Sequence, residues 1–431
     1  MILMALSSVG LFAQTGGNPR NGGFERSKSM KPMFAENYFV PFGADSLRSS
    51  VLLRVPYSAL NFKRNTASPE KGTFFAIINI NVSYKNSEQI IKGRTLLVDT
   101  LYVNSSAEEN LQTQFYSRSV TSMLAYDRYD ILVEATDENK RQIATNSGMT
   151  IDMDKTGRLP ELFAYSHGNG EYAAILDSSF DWRASEMNIY VTLGNSAKSS
   201  KITYSVEQIK SKPDEGFIYS TNAKQAGTAT LLSDAVPQFA SGVAENKVQY
   251  ASNSEARTAK ITLDKSCMMP GSYELTYKTD LGAKFTKRFD VEYVNQPKSL
   301  SKLELAIRSM EYLLDEKDFS DLSGADKDKQ YGIIYDYFTK NKMPAAGVFP
   351  ENMHEFFRRI DYGMINFVDP QNPDGSRTSR GRVYALFGSP AEINSKLEAD
   401  TSKEIWRYNN PAQEITFEIS KGGFYRITEI K

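Results

Sequence analysis

The feature that most restricts what this chain can fold into is a change of hydrophobic period along its length. From Phe74 to Tyr84 every even position is apolar, while Asn79, Asn81 and Ser83 are polar. A period of two belongs to a strand with one buried face. Val51–Pro56, Thr95–Thr100 and Tyr129–Thr136 read the same way, the last closed by the turn-like Asp137–Asn139. No helical stretch separates them, which predicts an antiparallel β-sandwich over residues 34–154. Asp154–Pro160 reads as a boundary, and strands return at Met187–Leu193, Lys201–Val206, Ala259–Leu263, Tyr273–Tyr277 and Phe285–Val294. These predict a second β-sandwich over 158–295. Inside it, Lys210–Ser254 is polar and aperiodic, which predicts a mobile surface loop or a binding loop.

After Gln296–Ser299 the apolar spacing becomes helical. Ser301 to Glu304 has capping-box spacing ahead of Leu303, Ala306, Ile307, Met310 and Leu314. Tyr331, Ile334, Tyr335 and Phe338 form a second stripe. Met353, Phe356, Phe357, Ile360, Met364 and Phe367 form a third, with Pro350 placed to start it. Such aromatic stripes read as core. The acidic run from Asp315 to Asp328 reads as a solvated turn between helices. Strands are expected again at Arg382–Phe387, Glu404–Tyr408, Glu414–Ser420 and Phe424–Ile430, the last two joined by a short Lys421–Gly423 loop. Residues 299–431 are therefore expected to pack helices on a small antiparallel sheet. The predicted fold is multidomain and mainly β: two antiparallel β-sandwich domains followed by an α+β C-terminal domain.

Several functional classes lack their raw material. The 51 basic and 52 acidic residues leave a net charge of −1, so no basic surface is expected for nucleic acid. Cys267 is the single cysteine, which excludes an intramolecular disulfide and reads as a small buried side chain. His167 and His354, far apart, give little to a Ser-His-Asp arrangement or a multi-histidine zinc site. Asp369–Gly375 lacks the ligand spacing and closing Glu of a calcium loop and reads as a surface turn. No metal, cofactor or catalytic residue is assigned.

At the other end, residues 1–13 are apolar and small, ending at Ala13 before Gln14, and read as a signal peptide despite the lack of Lys or Arg before Arg20. Residues 14–33 form a Gly/Asn/Ser/Arg linker. Export to the periplasm or cell exterior is expected, and no other run is long enough to cross a membrane.

The remaining chemistry lies in Gly375-Ser-Arg-Thr-Ser-Arg-Gly-Arg-Val-Tyr384, the Gly388-Ser-Pro390 turn and Glu404-Ile-Trp-Arg-Tyr408. Arg380 and Arg382 flank Gly381, and in a strand Arg382, Tyr384 and Leu386 share one face. Arginine with tyrosine and tryptophan is the composition of interaction hot spots and of carboxylate or phosphate recognition. Arg380, Arg382, Tyr384 and Trp406 are therefore the candidate partner- or ligand-binding residues. A second reading has these arginines pairing with acidic residues of the preceding helices to hold the domain together.

These segments resemble the bacterial GWxTD-domain family, named for a Gly-Trp-x-Thr-Asp stretch running into Arg-Gly-Arg-Val-Tyr. Gly375, Thr378 and Arg380 to Tyr384 match, whereas Ser376 and Ser379 stand where the family has Trp and Asp. The resemblance extends upstream through Phe289–Pro297 and is most specific from residue 290 onward. It implies no established activity. Together with the leader, it points to a non-catalytic binding or assembly protein of the cell envelope whose partner is a protein or an envelope component. The alternative is an enzyme acting on an envelope or extracellular polymer, with the sandwiches as accessory modules.

Overall fold

The computed structural model describes residues 33–431 except 44, 105–113, 153–158, 160, 167–170, 195–200, 210–223, 233–234, 241–245, 254–255, 266–267, 340–348, 398–401 and 421. The expected signal peptide, nearly all of the linker, His167, Cys267 and most of the Asp154–Pro160 boundary lie outside the described residues.

The long alternating segments form strands as their period requires. In the first sandwich, one sheet is β1 (Phe34–Pro41), β2 (Ser46–Pro56) and β6 (Phe115–Ala125). The facing sheet contains β3 (Lys63–Arg64), β4 (Phe74–Asn86), β5 (Ile91–Val103), β7 (Tyr129–Asp137) and β8 (Gln142–Ile151). β4 pairs antiparallel with β5 on one side and with β7 on the other, placing Val82 opposite Val133. The even positions Ala76, Ile78, Ile80, Val82 and Tyr84 are all buried, so the sequence alternation is the buried face itself.

Among the described residues the second sandwich has five strands in each sheet. One sheet runs β10 (Ala173–Ala174), β9 (Leu162–Ser166), β12 (Glu186–Gly194), β18 (Ala256–Thr262), β15 (Thr230–Leu232). The other runs β11 (Ser179–Asp181), β20 (Lys284–Glu292), β19 (Gly271–Thr279), β13 (Ile202–Gln208), β14 (Lys224–Thr228). All these pairs are antiparallel except β11 with β20.

Of the segment expected to be a loop, Lys210–Ser254, residues 210–223, 233–234, 241–245 and 254 lie outside the described residues, and the rest contributes β14 and β15 to the two sheets and β16 (Ala235–Gln238) with β17 (Gln249–Ser252) as a ribbon. These strands are short. β14 and β15 occupy sheet edges with mostly exposed side chains, so they need no apolar face and show no alternation.

Among the described residues six helices follow: α1 (Lys298–Ser301), α2 (Leu303–Met310), α3 (Glu316–Gly324), α4 (Lys327–Thr339), α5 (Glu351–Asn366) and α6 (Ser379–Phe387). The expected capping box is absent. Ser301 Oγ donates to Lys298 O at 2.8 Å, and α2 begins at Lys302 without a side-chain cap. The first turn of α1 is satisfied from α5, where the Asp361 carboxylate accepts the N–H groups of Lys298 at 2.6 Å and Ser299 at 2.7 Å. The acidic run is a helix rather than a turn, because Asp315 caps α3 by accepting from Asp318 N at 2.8 Å while Leu322 is buried.

The last sheet is antiparallel in the order β21 (Glu392–Leu397), β22 (Ser402–Asn409), β23 (Ala412–Ile419), β24 (Tyr425–Ile430).

The hydrophobic interior falls into three clusters. One lies in the first sandwich and reaches Leu162, Ala164, Tyr190 and Ala256 of the second. Another runs unbroken from Phe163, Ile189 and Phe289 of the second sandwich into Leu300, Met310, Tyr331, Phe357 and Ala385 of the helices. The third, Val383, Tyr384, Trp406, Tyr408, Ile415 and Phe417, joins α6 to the last sheet. Among the described residues no helix is long and apolar enough to cross a membrane.

Candidate functional site

Arg382–Phe387 is not a strand; it lies in α6. Thr378 starts this helix, its Oγ1 accepting from Gly381 N at 3.1 Å, and Gly388 ends it at φ +78°, its N–H reaching Tyr384 O at 2.8 Å. Six residues are too few to separate period two from period 3.6, and Val383, Tyr384 and Phe387 biased the reading toward strand. The face assignment falls with it. Tyr384 is buried, whereas Arg382 and Leu386, four residues apart, are exposed together.

The glycines of the signature have a steric origin. α5, the Gly375–Arg377 turn and α6 cross so closely that a Cβ on Gly381 would lie 2.0 Å from Gly375 O. A Cβ on Gly375 would lie 2.4 Å from Gly363 O. Only hydrogen fits at these two positions.

From the crossing, Arg380 extends under the sheet. Its guanidinium carbon sits 3.4 Å from the centroid of the Tyr425 ring and 5.4 Å from that of Phe367, and Nη1 is 3.8 Å from a Glu404 oxygen. That Glu404 oxygen also accepts Trp406 Nε1 at 2.8 Å. Arg380 Nε is buried without a hydrogen-bond partner. Arg380 therefore locks α6 to β22 and β24, by an acidic residue of the sheet rather than of the preceding helices. Trp406 is 1% exposed and packs on Phe367 and Phe417. Tyr384 stacks on Tyr362 at 4.6 Å. Arg380, Tyr384 and Trp406 are thus brought together as packing.

Arg382 points away from them, its guanidinium 5.5 Å from the centroid of the Tyr312 ring. Tyr312 donates to Ser376 O at 2.9 Å, and burial, followed by the Asp374 carboxylate, raises its phenol above the ordinary value. Asp374 is held by Arg308 at 2.5 Å. Among the described residues no group of three or more His, Cys, Asp or Glu side chains is placed to hold a metal ion.

The sequence reading missed Glu404, Tyr425 and Gly363. Glu404 carried a signal, since in a strand residues two apart share a face and Trp406 was already singled out. Tyr425 and Gly363 carried none.

α5 is tied to the end of α6 by Arg359, whose Nη1 donates to Leu386 O at 3.3 Å. Glu355 accepts from Arg358 Nε at 2.7 Å and from Arg359 Nε at 2.8 Å, and these bonds, Arg358 first, hold its carboxyl at about 2. A carboxyl depressed on folding stabilises above its unfolded value of about 4.3, and that contribution is lost as pH falls toward the folded value. Glu355→Gln should therefore lower stability at neutral pH and flatten the acid limb between about 4.3 and 2, so that variant and parent converge at the acid end. Urea melts at stepped pH would show this, and an unchanged acid limb would contradict it.

The family model described as GWxTD domain matches residues 249–424. The match opens at β17 and includes β18 to β20, all six helices and most of the last sheet. No curated protein matches the chain. Among solved structures, the native conformation of E. coli alpha-2-macroglobulin matches at 12% identity with a TM-score of 0.16, covering 63% of this chain and 17% of that one. A likeness this slight carries no argument.

Proposed function

Since this chain is a GWxTD domain-containing protein, with the domain on residues 249–424, we propose that it is an exported, non-catalytic binding or assembly component of the bacterial cell envelope. The observation that carries this reading is the division of labour within the signature. Arg380, Tyr384 and Trp406 are consumed by packing, and what α6 offers to a partner is Arg382 beside Leu386, with Tyr312 beneath the guanidinium. Exposed Tyr362, Ile365 and Val368 on and just after α5 add apolar surface. Arginine with aromatic and aliphatic neighbours suits protein contacts. Asp374 and Glu355 are held in ion pairs, which does not suit them to acid–base work on a polymer. Export rests on residues 1–13 alone.

Cross-linking in the native cell followed by identification of captured proteins tests this directly. Arg382→Glu should lose the captured partner, while Arg382→Ala should change stability by no more than about 0.5 kcal/mol, as for an ordinary surface position. Capture that survives Arg382→Glu, or a processed N-terminus absent from intact-mass spectra, would refute the corresponding half of the proposal.

A further inference from the structure

A second cluster of polar side chains sits where the second sandwich meets the helices, remote in sequence from the signature. Arg183 follows β11, Tyr293 follows β20, Phe349 lies just ahead of α5, and His354 is in its first turn. Arg183 Nη2 lies 3.0 Å from His354 Nε2 and 3.2 Å from Nδ1, and Tyr293 Oη lies 3.2 Å from the same Nδ1. The guanidinium carbon is 4.6 Å from the centroid of the Phe349 ring, which makes an edge contact with Trp182.

Arg183 is half-buried, and its Nε has no hydrogen-bond partner. No carboxylate of the described residues pairs with it: the nearby Asp181 carboxylate accepts its backbone N–H instead. An aromatic face offsets only part of the hydration that a half-buried cation loses, and neutral imidazole is a weak partner. Among the described residues, Arg118 and Arg380 also bury an unbonded Nε but have an acidic neighbour in Asp99 and Glu404, whereas Arg54 lies between the Phe34 and Phe115 rings.

We propose that the Arg183–His354–Tyr293 seam binds a carboxylate group bearing an apolar substituent. One guanidinium flanked by neutral donors matches a single negative charge, and its planar fork matches the two carboxylate oxygens. A phosphate dianion calls for more positive charge than Arg183 supplies, and Glu351 and Glu355 on the same helix oppose it. Phe349 and Trp182 supply the apolar wall. Burial first, then Arg183, keeps His354 below its ordinary pKa, with Glu351 and Glu355 pulling upward and Arg358 downward. A bound carboxylate counters the Arg183 effect, so His354 reports occupancy.

The chain has two histidines, so carbon-13 labelling of their rings gives two side-chain signals, and His354→Gln assigns them. Benzoate titrated into the full-length protein should move the His354 signal saturably and raise its apparent pKa, whereas sodium chloride at equal ionic strength should not. Arg183→Gln should weaken the response about tenfold or more, and Arg183→Lys, which keeps the charge and loses the fork, should weaken it less. A His354 signal that never saturates in the folded parent, an unchanged affinity in Arg183→Gln, or an equal response to inorganic phosphate would overturn the proposal.

Discussion

Gly381→Ala is expected to destabilise the C-terminal unit by about 3 kcal/mol or more, reversing the sign that helix propensity alone assigns. An alanine inside a helix is favoured over glycine by about 1 kcal/mol. Here the added methyl would sit 2.0 Å from Gly375 O and 2.7 Å from Ser376 Cα. Both obstacles are backbone, so no side chain can swing aside. Overpacking costs roughly 1–3 kcal/mol where neighbours yield and more where they do not. Trp182 and Trp406 are the two tryptophans, so a Trp182→Phe background leaves Trp406 emission to report this region during urea unfolding. A Gly381→Ala variant as stable as its parent would mean that α6 does not pack on the Gly375–Arg377 turn as described.

Trp406→Ala is the second large effect, expected at about 3–5 kcal/mol for a buried tryptophan replaced by a methyl. Two losses combine. The ring leaves a cavity between Phe367 and Phe417, and Glu404 loses its indole donor. Trp406→Phe separates them, since it keeps most of the packing and removes only the donor, at about 1–3 kcal/mol. Near-ultraviolet circular dichroism during thermal melts serves here, because the reporter tryptophan is gone. Equal effects of the two variants would show that the hydrogen bond, not the packing, dominates.

How far the sequence was legible depended on the length of each pattern and on how much of it was buried. β4 alternates over eleven residues with one face fully in the core, and both its existence and its facing were readable. Arg382–Phe387 offered six residues, and a capped helix took them because Thr378 and Gly388 fix its ends. Ser301 to Glu304 matched a local capping rule, yet the donors of α1 are answered by Asp361, some sixty residues away. The candidate site divides the same way. Arg380 and Trp406 were legible as consequential, but their roles depend on Tyr425 and on a helix crossing that no spacing in the sequence encodes.

The unbroken interior from Phe163 to Ala385 has a consequence for how such a chain can be divided and inherited. A fragment beginning at Ser299 would present Tyr335 and Phe349 to water where Trp182 and Tyr293 now pack on them. The helices and final sheet are therefore not freight that can be uncoupled and hitched to another protein. Whatever recombination carries them must also carry the β-strands that roof them, or furnish a replacement roof of the same shape.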